Sequence, residues 1–204
     1  MEASLTEPEH AQGYLDITLG PMFAGKTMHI ISTHKKYADD GVSIAVVNHV
    51  FDKRYCLDER PDVVSTHDLQ QVPCIKCARL KEVWDYDNTD ILHTQTLYSV
   101  DVILIDEAQF YEDLYDVVIN MVNVHKKCVY VCGLDGDFNR QSFGHIFSLI
   151  PMCDRICKKT ANCAICNETA IFSKKIDARH NGQTDVGGAD KYMPVCRNCY
   201  HAMM

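Results

Sequence analysis

The chain has 204 residues, 47% of them hydrophobic, which suits one ordinary globular domain, or one domain plus a small module. Its formal net charge is -8, from 20 Lys and Arg against 28 Asp and Glu, so it lacks the basic balance of a nucleic-acid binder, and no such partner is expected. No apolar run approaches bilayer-spanning length, and residues 1–12 are polar, so the sequence predicts a soluble, cytoplasmic protein with no membrane partner.

Residues 1–12 read as a flexible tail. Tyr14 to Leu19 alternates and reads as a strand. It runs into a glycine-bounded loop, Gly20 to Thr27, and Thr27 to Tyr37 then reads as a helix that breaks at Gly41. Ser43 to Val47 is a β-branched run and reads as a buried strand. From Asn48 to Asp90 the pattern is irregular, with a possible helix from Ile75 to Val83, and the stretch from Trp84 to Gln95 carries no functional reading. Val102 to Ile105, with Asp101 and Asp106 at its ends, reads as a buried parallel strand. Leu114, Val117, Val118, Met121 and Val122 recur at helical spacing. Cys128 to Cys132 reads as a strand ending at Gly133, and Phe143 to Ile150 as a helix stopped by Pro151.

Strands alternating with helices predict an α/β fold, a parallel sheet with helices on both faces. After about Cys157 that rhythm gives way to cysteine pairs, glycines and polar residues. The expected organisation is therefore the tail at 1–12, an α/β domain at 13–157 and a second module at 158–204.

Three motifs carry chemistry. Gly20, Pro21, Met22, Phe23, Ala24, Gly25, Lys26 and Thr27 fit the P-loop pattern, after a strand and before a helix. Glycines let successive N–H groups point at phosphate oxygens, the helix N-terminus adds its dipole, Lys26 reaches the β- and γ-phosphates, and Thr27 can ligate Mg2+. Asp106 ends a hydrophobic strand, where a carboxylate holds magnesium or its water. Glu107 follows; it could take a proton from a hydroxyl, as in a kinase, or orient a water, as in an ATPase. Cys163, Cys166, Cys196 and Cys199 form two CxxC pairs, the donor set of a closed, structural zinc site. The long gap between the pairs implies a loop projecting from that module. Cys74 and Cys77 make a third pair with no partner pair left over, and read best as unpaired thiols; Cys128, Cys132, Cys153 and Cys157 read as core or near-core cysteines.

The runs Leu19 to Thr27, Ile105 to Phe110 and Gly187 to Tyr192, together with Asp52 to Tyr55, Leu134 to Phe138 and Phe143-Gly144, resemble the type II thymidine kinases, the cytosolic and viral class. The matches keep their order from Leu19 to Tyr200. Ala24 and Thr27 stand where many members have serine, and both changes keep the chemistry. The resemblance implies a P-loop NTPase-type domain with a zinc-ribbon module whose projecting loop is the family's lasso. It implies transfer of the ATP γ-phosphate to the 5′-hydroxyl of thymidine, with deoxyuridine also accepted because one methyl is worth only about 1–3 kcal/mol. In this reading Glu107 is the general base, and Lys26 and Arg54 neutralise the transferring phosphoryl group. Thr27, and Asp106 through water, hold magnesium. Asp52 lies near the deoxyribose, and Met22, Phe110, Leu134, Phe138, Phe143 and Tyr192 wall the nucleoside pocket. The lasso backbone around Asp185, Val186 and Gly187 reads the base edge. A homotetramer and feedback inhibition by dTTP are further implications of the resemblance.

Overall fold

The computed structural model describes residues 12–52, 63–65, 70–84, 97–176 and 186–202. In chain order the elements are β1 (Tyr14–Leu19), α1 (Lys26–Asp39), β2 (Ile44–His49), β3 (Val63–Ser65), β4 (Gln71–Pro73), β5 (Ile75–Cys77) and α2 (Lys81–Trp84). They continue with β6 (Val102–Ile105), α3 (Leu114–Ile119), β7 (Cys128–Gly133) and β8 (Arg155–Lys158). The last set is β9 (Ala161–Asn162), β10 (Thr169–Ala170), β11 (Phe172–Lys175), β12 (Tyr192–Val195) and α4 (Arg197–Ala202).

Six strands form one sheet in the order β5-β2-β6-β7-β1-β8, and every neighbouring pair is parallel. The side-chain period of two explains why the sheet is buried on both faces. Leu15, Ile17 and Leu19 of β1, Ile103 and Ile105 of β6, and Val129 and Val131 of β7 enter one core with Leu114, Val118, Ile146 and Leu149. Val102 and Leu104 of β6 and Cys128 and Cys132 of β7 enter the other, with Ile30, Ile31 and Tyr37 of α1. Helices therefore cover both faces, as the alternation of elements predicts. β6 and β1 are separated by β7, so the loops after β1 and β6 open at the carboxyl edge of the sheet, the side on which ligands bind in doubly wound folds.

Three local readings change. Ile75 to Val83 is not one helix: Ile75–Cys77 pairs in parallel with Val47–His49, and only Lys81–Trp84 is helical. The open edge of β2 offers Ile75–Cys77 a ladder that a helix would forgo. The helix from Leu114 keeps α geometry to Ile119 and continues as a π-type turn, Asn120–Val124. The helix expected from Phe143 begins only at Ile146, as a 3₁₀ turn, because Gly144 adopts φ +64 just before it. That turn runs through Pro151 to Met152; proline's fixed φ fits a helical turn and removes only an N–H.

β8 leads directly into the cysteine module. β9 pairs antiparallel with β10, and β11 with β12. Its small core is Cys163, Ala170, Val195, Cys196 and Tyr200. Of the third cysteine pair, Cys74 and Cys77 are both buried, and Cys77 lies 3.8 Å from the Tyr111 hydroxyl. Cys128 and Cys132 are buried and Cys153 and Cys157 half-buried, in keeping with the core reading.

Candidate active site

The loop after β1 turns on its glycines. Gly25 caps α1 at φ 75, and a Cβ on Gly20 would meet the Lys159 carbonyl oxygen at 2.6 Å. Lys26, nearly buried, turns its ammonium back to donate to the carbonyls of Gly20 (3.1 Å) and Pro21 (2.7 Å). The Met22 N–H donates to the Ser173 hydroxyl at 2.9 Å, which fixes this loop to β11 of the cysteine module.

Asp106 and Glu107 leave the end of β6. The Thr27 hydroxyl donates to Asp106 Oδ2 at 2.8 Å, and the Glu107 N–H donates to Asp106 Oδ1 at 3.0 Å. Burial, then the neighbouring Glu107 charge, pushes the Asp106 carboxyl up to about 7, with the Thr27 hydrogen bond acting the other way. A divalent cation would relieve that penalty. Glu107 sits at φ 52, a left-handed conformation rare for a residue with a side chain. Gln109 Nε2 donates to Glu107 Oε2 at 2.6 Å.

Lys26, Thr27 and Glu107 line one cleft of about 1200 Å³, its open mouth included. The loop from Phe23 to Thr27 lines it, and so do the apolar side chains of Met22, Phe110, Leu134, Phe138, Phe143 and Tyr192. Glu107 and Asp52 lie on the cleft wall, as do Val186 and Gly187. Phe110 and Phe143 meet edge to face at 5.5 Å, and Phe138 and Tyr192 lie 6.2 Å apart. Asp52 Oδ2 accepts from Asn48 Nδ2 at 2.9 Å.

Of the residues singled out from the sequence, Gly20, Pro21 and Asp106 support the cleft from behind rather than line it. Arg54 and Asp185 lie outside the described residues. The sequence reading missed Met28, Ser65, Gly136, Asp137 and Ser173, which also line the cleft. Asp137 stood in a quoted run; its Oδ1 accepts from the N–H groups of Asn139 and Gln141, each at 2.8 Å, and knots the loop that carries Phe138. Ser173 carried no signal of its own; only the pairing of β11 with β12 brings it beneath Met22.

The four cysteines converge. Their sulfurs all lie within 4.8 Å of one another, and those of Cys166 and Cys196 are 3.7 Å apart. Tetrahedral zinc with bonds of about 2.3 Å needs sulfurs about 3.8 Å apart, so the donor set fits. The Cys199 N–H points at Cys196 Sγ at 3.4 Å, the backbone support such a knuckle needs. Burial pushes the Cys163 thiol up, but hydrogen bonds from the backbone at Cys196, Cys166 and Ile165 outweigh it and bring it down to about 6. Cys199, hydrogen-bonded to the thiols of Cys166 and Cys196, is pushed up to about 12. Four thiols this close do not ionise together without a cation.

A family model described as thymidine kinase matches residues 13–200. A thymidine kinase of Oryza sativa subsp. japonica is 38% identical over 201 residues, which cover 98% of this chain and 69% of that protein. A thymidine kinase of Yaba monkey tumor virus (strain VR587) is 38% identical, over 92% of this chain and 94% of its own. A Bos taurus protein named "Thymidine kinase, cytosolic" is 33% identical, over 95% of this chain and 74% of its own.

Proposed function

The chain belongs to the thymidine kinase family, and from that premise we propose that it transfers the γ-phosphate of ATP to the 5′-hydroxyl of thymidine, making dTMP for nucleotide salvage. The observation that supports the residue assignment is the place of Glu107, a carboxylate in a cleft lined both by a glycine-bounded loop of the phosphate-binding pattern and by aromatic side chains.

Glu107 accepts the proton of the 5′-hydroxyl as that oxygen bonds to the γ-phosphorus; the bond from phosphorus to the bridging oxygen breaks, and ADP leaves. Lys26 exchanges its two loop carbonyls for phosphate oxygens, and Arg54 adds a second positive charge. Thr27 and Asp106 would hold Mg2+, which supplies charge neutralisation on the β- and γ-phosphates when bound. Met22, Phe110, Leu134, Phe138, Phe143 and Tyr192 enclose the nucleoside, with Asp52 beside the sugar. The lasso backbone at Asp185, Val186 and Gly187 pairs with the base edge. Cys163, Cys166, Cys196 and Cys199 hold structural Zn2+, in a module from residue 158 that follows a kinase domain at 13–157. A homotetramer, feedback inhibition by dTTP, acceptance of deoxyuridine and a cytoplasmic location complete the reading.

The test is a panel of natural deoxynucleosides and their monophosphates with ATP and magnesium, the product detected by mass. Thymidine is expected to be phosphorylated, and Glu107→Gln to lose turnover by at least 100-fold while still binding ATP. Product from a monophosphate instead would replace the substrate assignment, and near-normal turnover in Glu107→Gln would remove the base assignment.

A further inference from the structure

We propose that Gln109 is a positioning residue that aims the Glu107 carboxylate and locks it to the nucleoside wall; the inference rests on the reading of Glu107 as the base. Gln109 is 3% exposed and touches both sides of the site. Its Oε1 accepts the Leu134 N–H at 2.9 Å, and its Nε2 donates to Glu107 Oε2 at 2.6 Å. The amide orientation is forced. A backbone N–H only donates, so the amide oxygen faces Leu134 and the nitrogen is left to face Glu107.

Two glycines pack against Gln109. A Cβ on Gly133 would lie 2.8 Å from Gln109 Oε1, and one on Gly144 would lie 2.2 Å from the Gln109 carbonyl oxygen. Gly133 ends β7 and Gly144 precedes the 3₁₀ turn at Ile146, so the first concedes space to the Gln109 side chain and the second to its backbone. Leu134 and Glu107 both line the cleft. Gln109 thus sets the distance between the base and the surface on which the nucleoside rests. That distance decides rate: a general base acts only within hydrogen-bond reach, and a displacement of about 1 Å can lower rate roughly 100-fold.

The test is a kinetic cycle on the purified full chain: wild type, Gln109→Met, Glu107→Gln and the double variant. Gln109→Met should lower kcat by about 10- to 100-fold, with KM for ATP within about twofold. In the Glu107→Gln background the same change should alter the residual kcat by less than about threefold, because the carboxylate it aims is gone. Gln109→Leu, which has neither the acceptor for Leu134 nor the donor to Glu107, should fall with Gln109→Met. Wild-type kcat in both Gln109→Met and Gln109→Leu, or a full multiplicative loss in the double variant, overturns the proposal and leaves Gln109 a packing residue. If Gln109→Met shows no melting transition, Gly133→Ala decides. Its methyl would meet the Gln109 amide oxygen at 2.8 Å and Ile146 Cδ1 at 2.9 Å; kcat should fall at unchanged KM for ATP and a retained melting transition, and an unchanged kcat there refutes the positioning role. Failure of the base reading itself is a separate result, visible as turnover retained in Glu107→Gln alone.

Discussion

The Tyr200 hydroxyl donates to the Phe138 carbonyl at 2.7 Å, and this bond joins α4, next to Cys199, to the loop that carries part of the apolar pocket. Tyr200→Phe removes that hydroxyl and little else. The ring stays, and with it the Arg140 guanidinium 4.4 Å above it and its place in the module core. A neutral, partly buried hydrogen bond contributes about 0.5–1.5 kcal/mol net. If the bond holds the loop in its binding form, KM for thymidine rises by the corresponding factor, about 2- to 13-fold. The Lys158–Asp135 ion pair at 2.8 Å holds the same loop from β8 and keeps the effect near the lower end. KM for ATP should stay within about twofold, since the phosphate loop is tied separately through Met22 and Ser173. Steady-state kinetics with each substrate varied in turn, plus a melting curve, make the measurement. Tyr200→Ala gives the contrast: losing a buried aromatic ring costs about 3–5 kcal/mol, enough to unfold the small module. An unchanged thymidine KM in a Tyr200→Phe protein would refute the coupling of α4 to the pocket. So would an equal rise in both KM values.

Thr27→Val keeps shape and removes the hydroxyl that meets Asp106, so the magnesium concentration for half-maximal rate should rise about tenfold; an unchanged magnesium dependence would separate Thr27 from the metal. Protein purified with zinc present should carry about one zinc per chain by elemental analysis, and Cys196→Ser should lose it and melt at lower temperature. Full metal content in that variant would move the site elsewhere. His49 is held below its usual range first by burial, and its Nδ1 accepts the Phe51 N–H at 3.1 Å, a bond that protonation there destroys. A depressed histidine favours the folded state above the unfolded pKa of about 6.5, and that contribution is lost as pH falls through the folded value. His49→Gln should therefore lose less melting temperature than wild type between pH 7 and 5. The comparison matters because Asp106, pushed the other way, gives the opposite slope in both proteins. Parallel curves would refute it.

The sequence was most legible where one chemistry needs one pattern. The run from Gly20 to Thr27 needs its glycines for close approach and turning, and Val102–Ile105 is apolar throughout because both sheet faces are covered. It was least legible where tertiary partners decide. Ile75–Cys77 reads as the start of a helix, yet the open edge of β2 makes it a strand. Ser173 is an unremarkable serine until β11 pairs with β12 and brings its hydroxyl under the Met22 N–H. Gln109 and Asp137 stood in motif runs without a role, since a side chain's partners across the sheet end do not appear in spacing.

Two adjacent carboxylates at one strand end would compete for the same charge if they shared one environment. The backbone separates them. Asp106 continues the strand direction and meets Thr27 behind the cleft, 1% exposed. An extended Glu107 would point to the opposite face of the sheet. Its left-handed φ of 52 instead turns the chain into the short 3₁₀ segment Ala108–Phe110. A left-handed conformation at a residue with a Cβ costs roughly 1–2 kcal/mol, so something must hold it. The Phe110 N–H, donating to the Glu107 carbonyl at 3.1 Å, holds the backbone. The Gln109 amide holds the side chain. Ala108 is fully buried, so the turn is also pinned from below. The strain is thus placed at the residue whose carboxylate lines the cleft while its neighbour meets Thr27. A smooth strand would send the two side chains to opposite faces; the left-handed turn at Glu107 instead gives the two acids different surroundings at one strand end.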